Sequence, residues 1–133
     1  MKRVLGYLWA APVSAAALPA LPLALLTGGS ARLFNGVLEI EGGALSLLLS
    51  RALPGFPISA ITLGHVVLAA DAEEHARCRA HERVHVRQYE RWGLLFPLLY
   101  LGSSAAALLA GGSAYRDNAF EEAAFREEEA CLA

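Results

Sequence analysis

Cysteine is scarce in this chain: two in 133 residues, Cys78 in mid-chain and Cys131 near the end, with no spacing that makes a disulfide framework. Basic charge is scarce as well. The formal net charge is −2 and Lys and Arg form no concentrated patch, which excludes nucleic acid as a partner because phosphate neutralisation needs clustered cations. Length is limiting too, since 133 residues make one domain with a modest core and leave no material for the two-lobed cleft of a large peptidase. What the chain has in excess is apolar residues, 56% of the total with a mean hydropathy of +0.41, which is high for a soluble protein and points to membrane contact.

Between Asp71 and Gly93 the sequence lacks both proline and glycine. Asp71-Ala-Glu-Glu74 has the form of a capping box, and the uninterrupted run after it predicts a helix over residues 72–92. That helix carries His81-Glu82-Arg83-Val84-His85. Residues i and i+4 lie about 40° apart on a helix, so His81 and His85 can offer imidazole nitrogens to one Zn²⁺ while Glu82 sits beside them as a general base for a metal-activated water. Cys78, Gln88 and Trp92 share the histidine face, with Glu82 and Tyr89 at its margin, whereas Arg83, Arg87 and Glu90 point away.

A catalytic zinc takes three protein ligands and an open position. Glu90 is on the wrong side of its helix, so the third ligand is sought in Tyr115-Arg-Asp-Asn-Ala-Phe-Glu-Glu-Ala-Ala-Phe-Arg126, where Asn118 is a helix N-cap. Glu122 is matched with Arg126 at i+4 on an exposed face, while Glu121 shares a stripe with Ala124 and Phe125 and faces inward. Glu121 is therefore the candidate ligand, with completion of a capping box to Asn118 as its competing role. Cys78 is one turn before His81, either a thiolate near the metal or a small buried side chain. Asp117 either orients a ligand histidine or serves the loop before Asn118, and Tyr89 or a residue near Tyr115 is a candidate oxyanion donor. His65 and His75 have no ligand spacing.

With these residues identified, the chain resembles the gluzincin metallopeptidases, in which a His-Glu-x-x-His motif and a downstream glutamate bind zinc. In particular it is similar to small bacterial membrane-associated proteins of unassigned function that share a His-Glu-Arg-x-His-Val-x-Gln-Tyr-Glu-Arg-Trp-Gly block, here residues 81–93, and a Tyr-Arg-Asp-Asn-x-Phe-Glu block, here 115–121. The likeness covers roughly residues 30–130. It implies His81, His85 and Glu121 as ligands, Glu82 as base, a peptide or protein substrate, and a place at a bacterial inner membrane. Ala119 stands where those proteins often have proline, which would only preset the first helical turn.

The remaining sequence predicts an α+β fold, a minimal zincin-like arrangement of a small antiparallel sheet, the metal helix and a second ligand-bearing helix. Residues 1–28 form an apolar N-terminal segment, Met1-Lys-Arg3 followed by Val4–Leu26, which reads as a signal peptide or an uncleaved anchor in contact with membrane lipid. Pro12, Pro19 and Pro22 favour a broken helix or a helical hairpin there. Residues 29–133 form the single domain. Within it, Gly36–Glu41 and Ala44–Arg51 flank Gly42-Gly43 as a hairpin, Pro54-Gly-Phe-Pro57 is a turn, and Ile58–Ala69 is one long strand. Leu94–Gly112 is long enough to cross a bilayer, but one crossing would separate Glu121 from the histidines, so a re-entrant hairpin or two short helices is expected. Two functional readings follow: a membrane-associated zinc hydrolase, or a non-catalytic membrane module whose zinc site is structural or vestigial. A third is a plain amphipathic helix without metal.

Overall fold

The computed structural model describes all 133 residues and has the expected α+β composition. Helices α1 (Lys2–Ala17) and α2 (Ala20–Leu26) lead into strands β1 (Ser30–Phe34) and β2 (Val37–Glu41), then α3 (Ala44–Arg51), β3 (Ala60–Leu63), β4 (Val66–Ala69), the long α4 (Ala72–Trp92), α5 (Phe96–Leu109) and α6 (Ala119–Leu132). The four strands lie in the order β1-β2-β4-β3.

The sheet differs from the expected one in three places, each with a local cause. First, the hairpin forms at Asn35-Gly36, where both residues have positive φ (48° and 78°), and joins β1 to β2. Asn-Gly is the dipeptide that a two-residue turn of this hand favours. Second, Ala44–Arg51 is a helix. Its residues, Ala-Leu-Ser-Leu-Leu-Leu-Ser-Arg, include no β-branched side chain, and Leu45 and Leu49, one turn apart, are the buried pair. Third, the run 58–69 folds at Gly64-His65 into the antiparallel pair β3–β4. Because α3 and β3 intervene, β2 pairs with β4 in parallel, so the sheet is mixed rather than antiparallel.

The N-terminal segment is a broken helix, α1 and α2 meeting at 44° beside Pro19. It is part of the core. Ala10 and Ala24 are fully buried, Ala17 and Ala24 pack with Ile40, Leu45, Val66 and Leu68, and Ala10 packs with Tyr89 and Phe96. The Trp9 ring lies so close over Gly93 that a Cβ there would fall 2.4 Å from it.

Helix α4 is fixed from both sides. Asp71 Oδ1 accepts from Glu74 N (2.8 Å), and Gly93 ends the helix. Its charged side is not simply solvated: Arg79 and Arg83 reach Glu39 on β2, a carboxylate only 1% exposed that also takes Arg32, and Glu90 meets His65 Nε2 at 2.9 Å. His75 is equally structural, its Nδ1 2.8 Å from Glu41 Oε2.

Leu94–Gly112 is neither a re-entrant hairpin nor two helices; after a short 3₁₀ turn it is the single helix α5. The chain nevertheless doubles back after it. Asn118 Nδ2 donates to Tyr100 O (3.0 Å) and Ser104 Oγ (2.8 Å), and Ala119 N donates to Ser103 Oγ (3.0 Å), so α6 begins beside the middle of α5 and returns to α4. The histidine helix and Glu121 thus meet at one end of α5.

Candidate metal centre

His81, His85 and Glu121 converge. All three are buried, and one potential ligand atom from each lies within 4.8 Å of the others. Glu121 faces inward as its stripe predicts, and Glu122 is exposed. Arg126 Nε bonds the Glu122 carbonyl (3.3 Å) rather than its carboxylate. Asn118 caps α6 through Phe120 N (2.9 Å), and the Glu121 carboxylate is not turned back to complete a capping box. Instead Glu121 Oε2 is 2.9 Å from His81 Nε2, and Oε1 is 3.5 Å from His85 Nε2 and accepts from Tyr100 OH (2.6 Å).

The protons on the imidazoles follow from the outer partners. Gln88 Nε2 donates to Phe120 O (3.1 Å), so the atom facing His85 Nδ1 at 2.8 Å is the Gln88 carbonyl oxygen, which only accepts. His81 Nδ1 faces Glu128 Oε2 at 3.2 Å, also an acceptor. Both Nδ1 atoms therefore carry hydrogen, so each ring, when neutral, turns its Nε2 lone pair toward a carboxylate that has only lone pairs to return. Such an arrangement is repulsive unless a cation lies at its centre. The three groups could hold a divalent metal, and a histidine held through its other nitrogen is the usual support of a metal ligand.

In the protein without metal, a proton on His85 takes that part. Burial by itself would lower the His85 pKa, but the Glu121 hydrogen bond and the nearby charges of Glu82 and Glu121 outweigh it and raise the pKa above 6.5. Burial would raise that of Glu121, yet its bonds to His81, His85 and Tyr100 bring it down to about 2. The carboxylate is ionised throughout the neutral range.

Glu82 is buried beside the histidines but is not one of the converging three. Its Oε2 accepts from Thr62 Oγ1 of β3 at 2.6 Å. A cleft of about 730 Å³ opens over His81, Glu82, His85 and Glu121. Cys78 borders it, but burial pushes its thiol up to about 11, which disfavours a thiolate. Tyr115 and Tyr89 both border the cleft; the Tyr89 ring packs at 4.5 Å on Phe96, and burial pushes its hydroxyl pKa up to about 12. Asp117 has the loop role, Oδ2 accepting from Ser113 N at 2.6 Å. The orienting of His81 belongs instead to Glu128, which lies two turns beyond Glu121 on the same face of α6, a spacing readable in the sequence. Tyr100 and Thr62 carried no such signal, each being a polar residue inside an apolar run.

No protein-family model matches the chain, and no curated protein or solved structure matches it either.

Proposed function

We propose that this chain is a membrane-associated zinc hydrolase, a metallopeptidase in which His81, His85 and Glu121 hold the metal and Glu82 is the general base. The observation that carries the reading is the convergence of His81 Nε2 and His85 Nε2 on the Glu121 carboxylate, each ring with its Nδ1 facing an acceptor. Two nitrogens and a carboxylate are a donor set suited to Zn²⁺, and the open cleft above them suits a catalytic site better than a closed structural one. When bound, the ion supplies Lewis acidity at a carbonyl and a water of lowered pKa.

The protein's own groups do the rest. Thr62 occupies one oxygen of Glu82 and so leaves the other for the attacking water. As the water oxygen bonds to the carbonyl carbon, Glu82 takes its proton and delivers it to the nitrogen as the C–N bond breaks. The Tyr100 hydroxyl is committed to Glu121 and Tyr89 is buried, so of the three phenols that border the cleft the half-buried Tyr115 is the one assigned to donate to the oxyanion.

Membrane association rests on the apolar surface. The helical run Ala72–Leu109 contains a stretch with mean hydropathy 1.6 that satisfies the length and composition for crossing a bilayer, and the bent pair α1–α2 passes the same test together. Leu98, Leu101 and Leu108 are exposed along one side of α5. Because α6 starts beside the middle of α5 and returns to α4, α5 in this reading lies against the lipid by its leucine side rather than across it, which keeps the three ligands together. Glu82→Gln tests the mechanism: the variant should bind zinc as the wild type does and lose hydrolysis of a peptide library. An active Glu82→Gln protein refutes it.

A further inference from the structure

The wall of the cleft says what enters it. Arg77 and Glu128 border it on the α4–α6 side, while toward β3 and α5 its rim is made of large apolar side chains that are themselves exposed: Leu53 and Phe56 on the turn before β3, at 51% and 46%, and Leu101 on α5, at 64%. A rim of this kind is unfavourable in water and favourable against apolar substrate or lipid.

Leu101 has a second position. With Leu98, Ala105 and Leu108 it lies on one stripe of α5, at offsets of three, seven and ten residues from Leu98, and all four are exposed. The stripe that the proposed function assigns to lipid therefore runs directly into the mouth of the cleft. On the other side, Phe56 meets Tyr115 edge to face at 5.4 Å, so the apolar rim continues across to the second loop.

The third wall distinguishes a peptide from an acyl chain. Six consecutive residues, Ile58 to Leu63, border the cleft. A strand turning one face to it would contribute alternate residues only. The chain therefore lies along the cleft by its edge, as the sheet order allows, since β3 pairs with β4 alone. Backbone groups at such an edge reward an extended peptide and offer nothing to a hydrocarbon chain.

We propose that the substrate is a membrane-borne peptide segment with bulky apolar side chains on both sides of the scissile bond, which enters the cleft from the lipid side past Leu101 and Phe56. This rests on reading the site as a peptidase. Burial of one bulky apolar side chain is worth more than a tenfold change in affinity, so the preference is measurable by binding without turnover.

The experiment uses the full chain as the zinc-loaded Glu82→Gln protein in phosphatidylcholine nanodiscs. Anisotropy is followed for a fluorescein-labelled peptide Lys-Lys-Ala-Leu-Phe-Leu-Val-Ala-Lys-Lys and for the same peptide with its Leu, Phe and Val replaced by Ser. The apolar peptide should bind at least tenfold tighter after subtraction of empty nanodiscs. Adding Leu101→Glu or Phe56→Asp should weaken it at least fivefold with zinc content retained. Equal affinity for the two peptides, binding of neither, or rim variants that bind like the parent overturns the proposal. So does displacement by dodecanoylglycine as effective as by unlabelled peptide, which would make the occupant an acyl chain. If the apolar peptide binds as described but the zinc-loaded wild type leaves it uncut, the entry route stands and the peptidase reading fails.

Discussion

Replacing Glu121 by alanine should reverse the direction in which the His85 imidazole departs from its ordinary pKa. In the zinc-free wild type, burial acts to lower that pKa, and only the Glu121 bond with the charges of Glu121 and Glu82 brings it above 6.5. Without the carboxylate the largest surviving influence is burial, and the midpoint should fall below 6.5. At pH 6.5 the His85 ring is thus more than half protonated in the wild type and less than half protonated in the variant. Zinc takes the neutral ring, so metal uptake at this pH displaces more than half a proton from His85 in the wild type and less in the variant.

Stability should follow the same sign. A raised folded-state pKa stabilises the zinc-free fold below the unfolded value of 6.5, and that stabilisation is lost as pH rises through the folded value. The depressed Glu121 pKa adds stability that is complete above 4.5 and is lost only as pH falls toward 2, so it gives no slope in this range. Zinc-free protein should therefore melt at lower temperature at pH 8 than at pH 6.5, and zinc-loaded protein at higher temperature. The assay is an NMR titration of the His85 ring in both zinc-free proteins, with thermal melts at the two pH values. A His85 midpoint below 6.5 in the wild type, or above 6.5 in Glu121→Ala, refutes the reasoning.

Two further outcomes are expected. Glu128→Gln removes the charged partner of His81 Nδ1, and zinc affinity measured by chelator competition should drop roughly 10- to 100-fold while the fold is kept. Glu39→Ala leaves Arg79 and Arg83 without their buried carboxylate, and denaturant titration should show a loss of about 3–5 kcal/mol.

The histidine helix was legible because everything that defines it is local: the Asp71 cap, twenty-one residues free of Gly and Pro, and a stop at Gly93. Glu121 was legible for the same reason, since its facing follows from Ala124 and Phe125 one turn on. The sheet was read less well. Asn35-Gly36 was the stronger turn signal and lay one step before the expected strand, while Gly42-Gly43 starts a helix that the leucines of 44–51 favour. The parallel β2–β4 pairing depends on residues nearly thirty apart, and no pattern within either strand encodes it. The Arg79 and Arg83 bonds to Glu39 were hidden likewise, because a helix face rich in arginine reads as solvated until its partner strand is in place. Glu128 was within reach of the helical period; Tyr100 and Thr62 matter only through contacts that folding creates.

The convergence of His81, His85 and Glu121 on one ion is tested most directly by elemental analysis of the full chain, purified without a metal-affinity resin, beside Glu121→Ala with its circular dichroism checked. One zinc per wild-type chain and less than about a tenth of that in the folded variant is the predicted result. A wild type free of zinc after exposure to it, or a folded variant that keeps a full equivalent, contradicts the account.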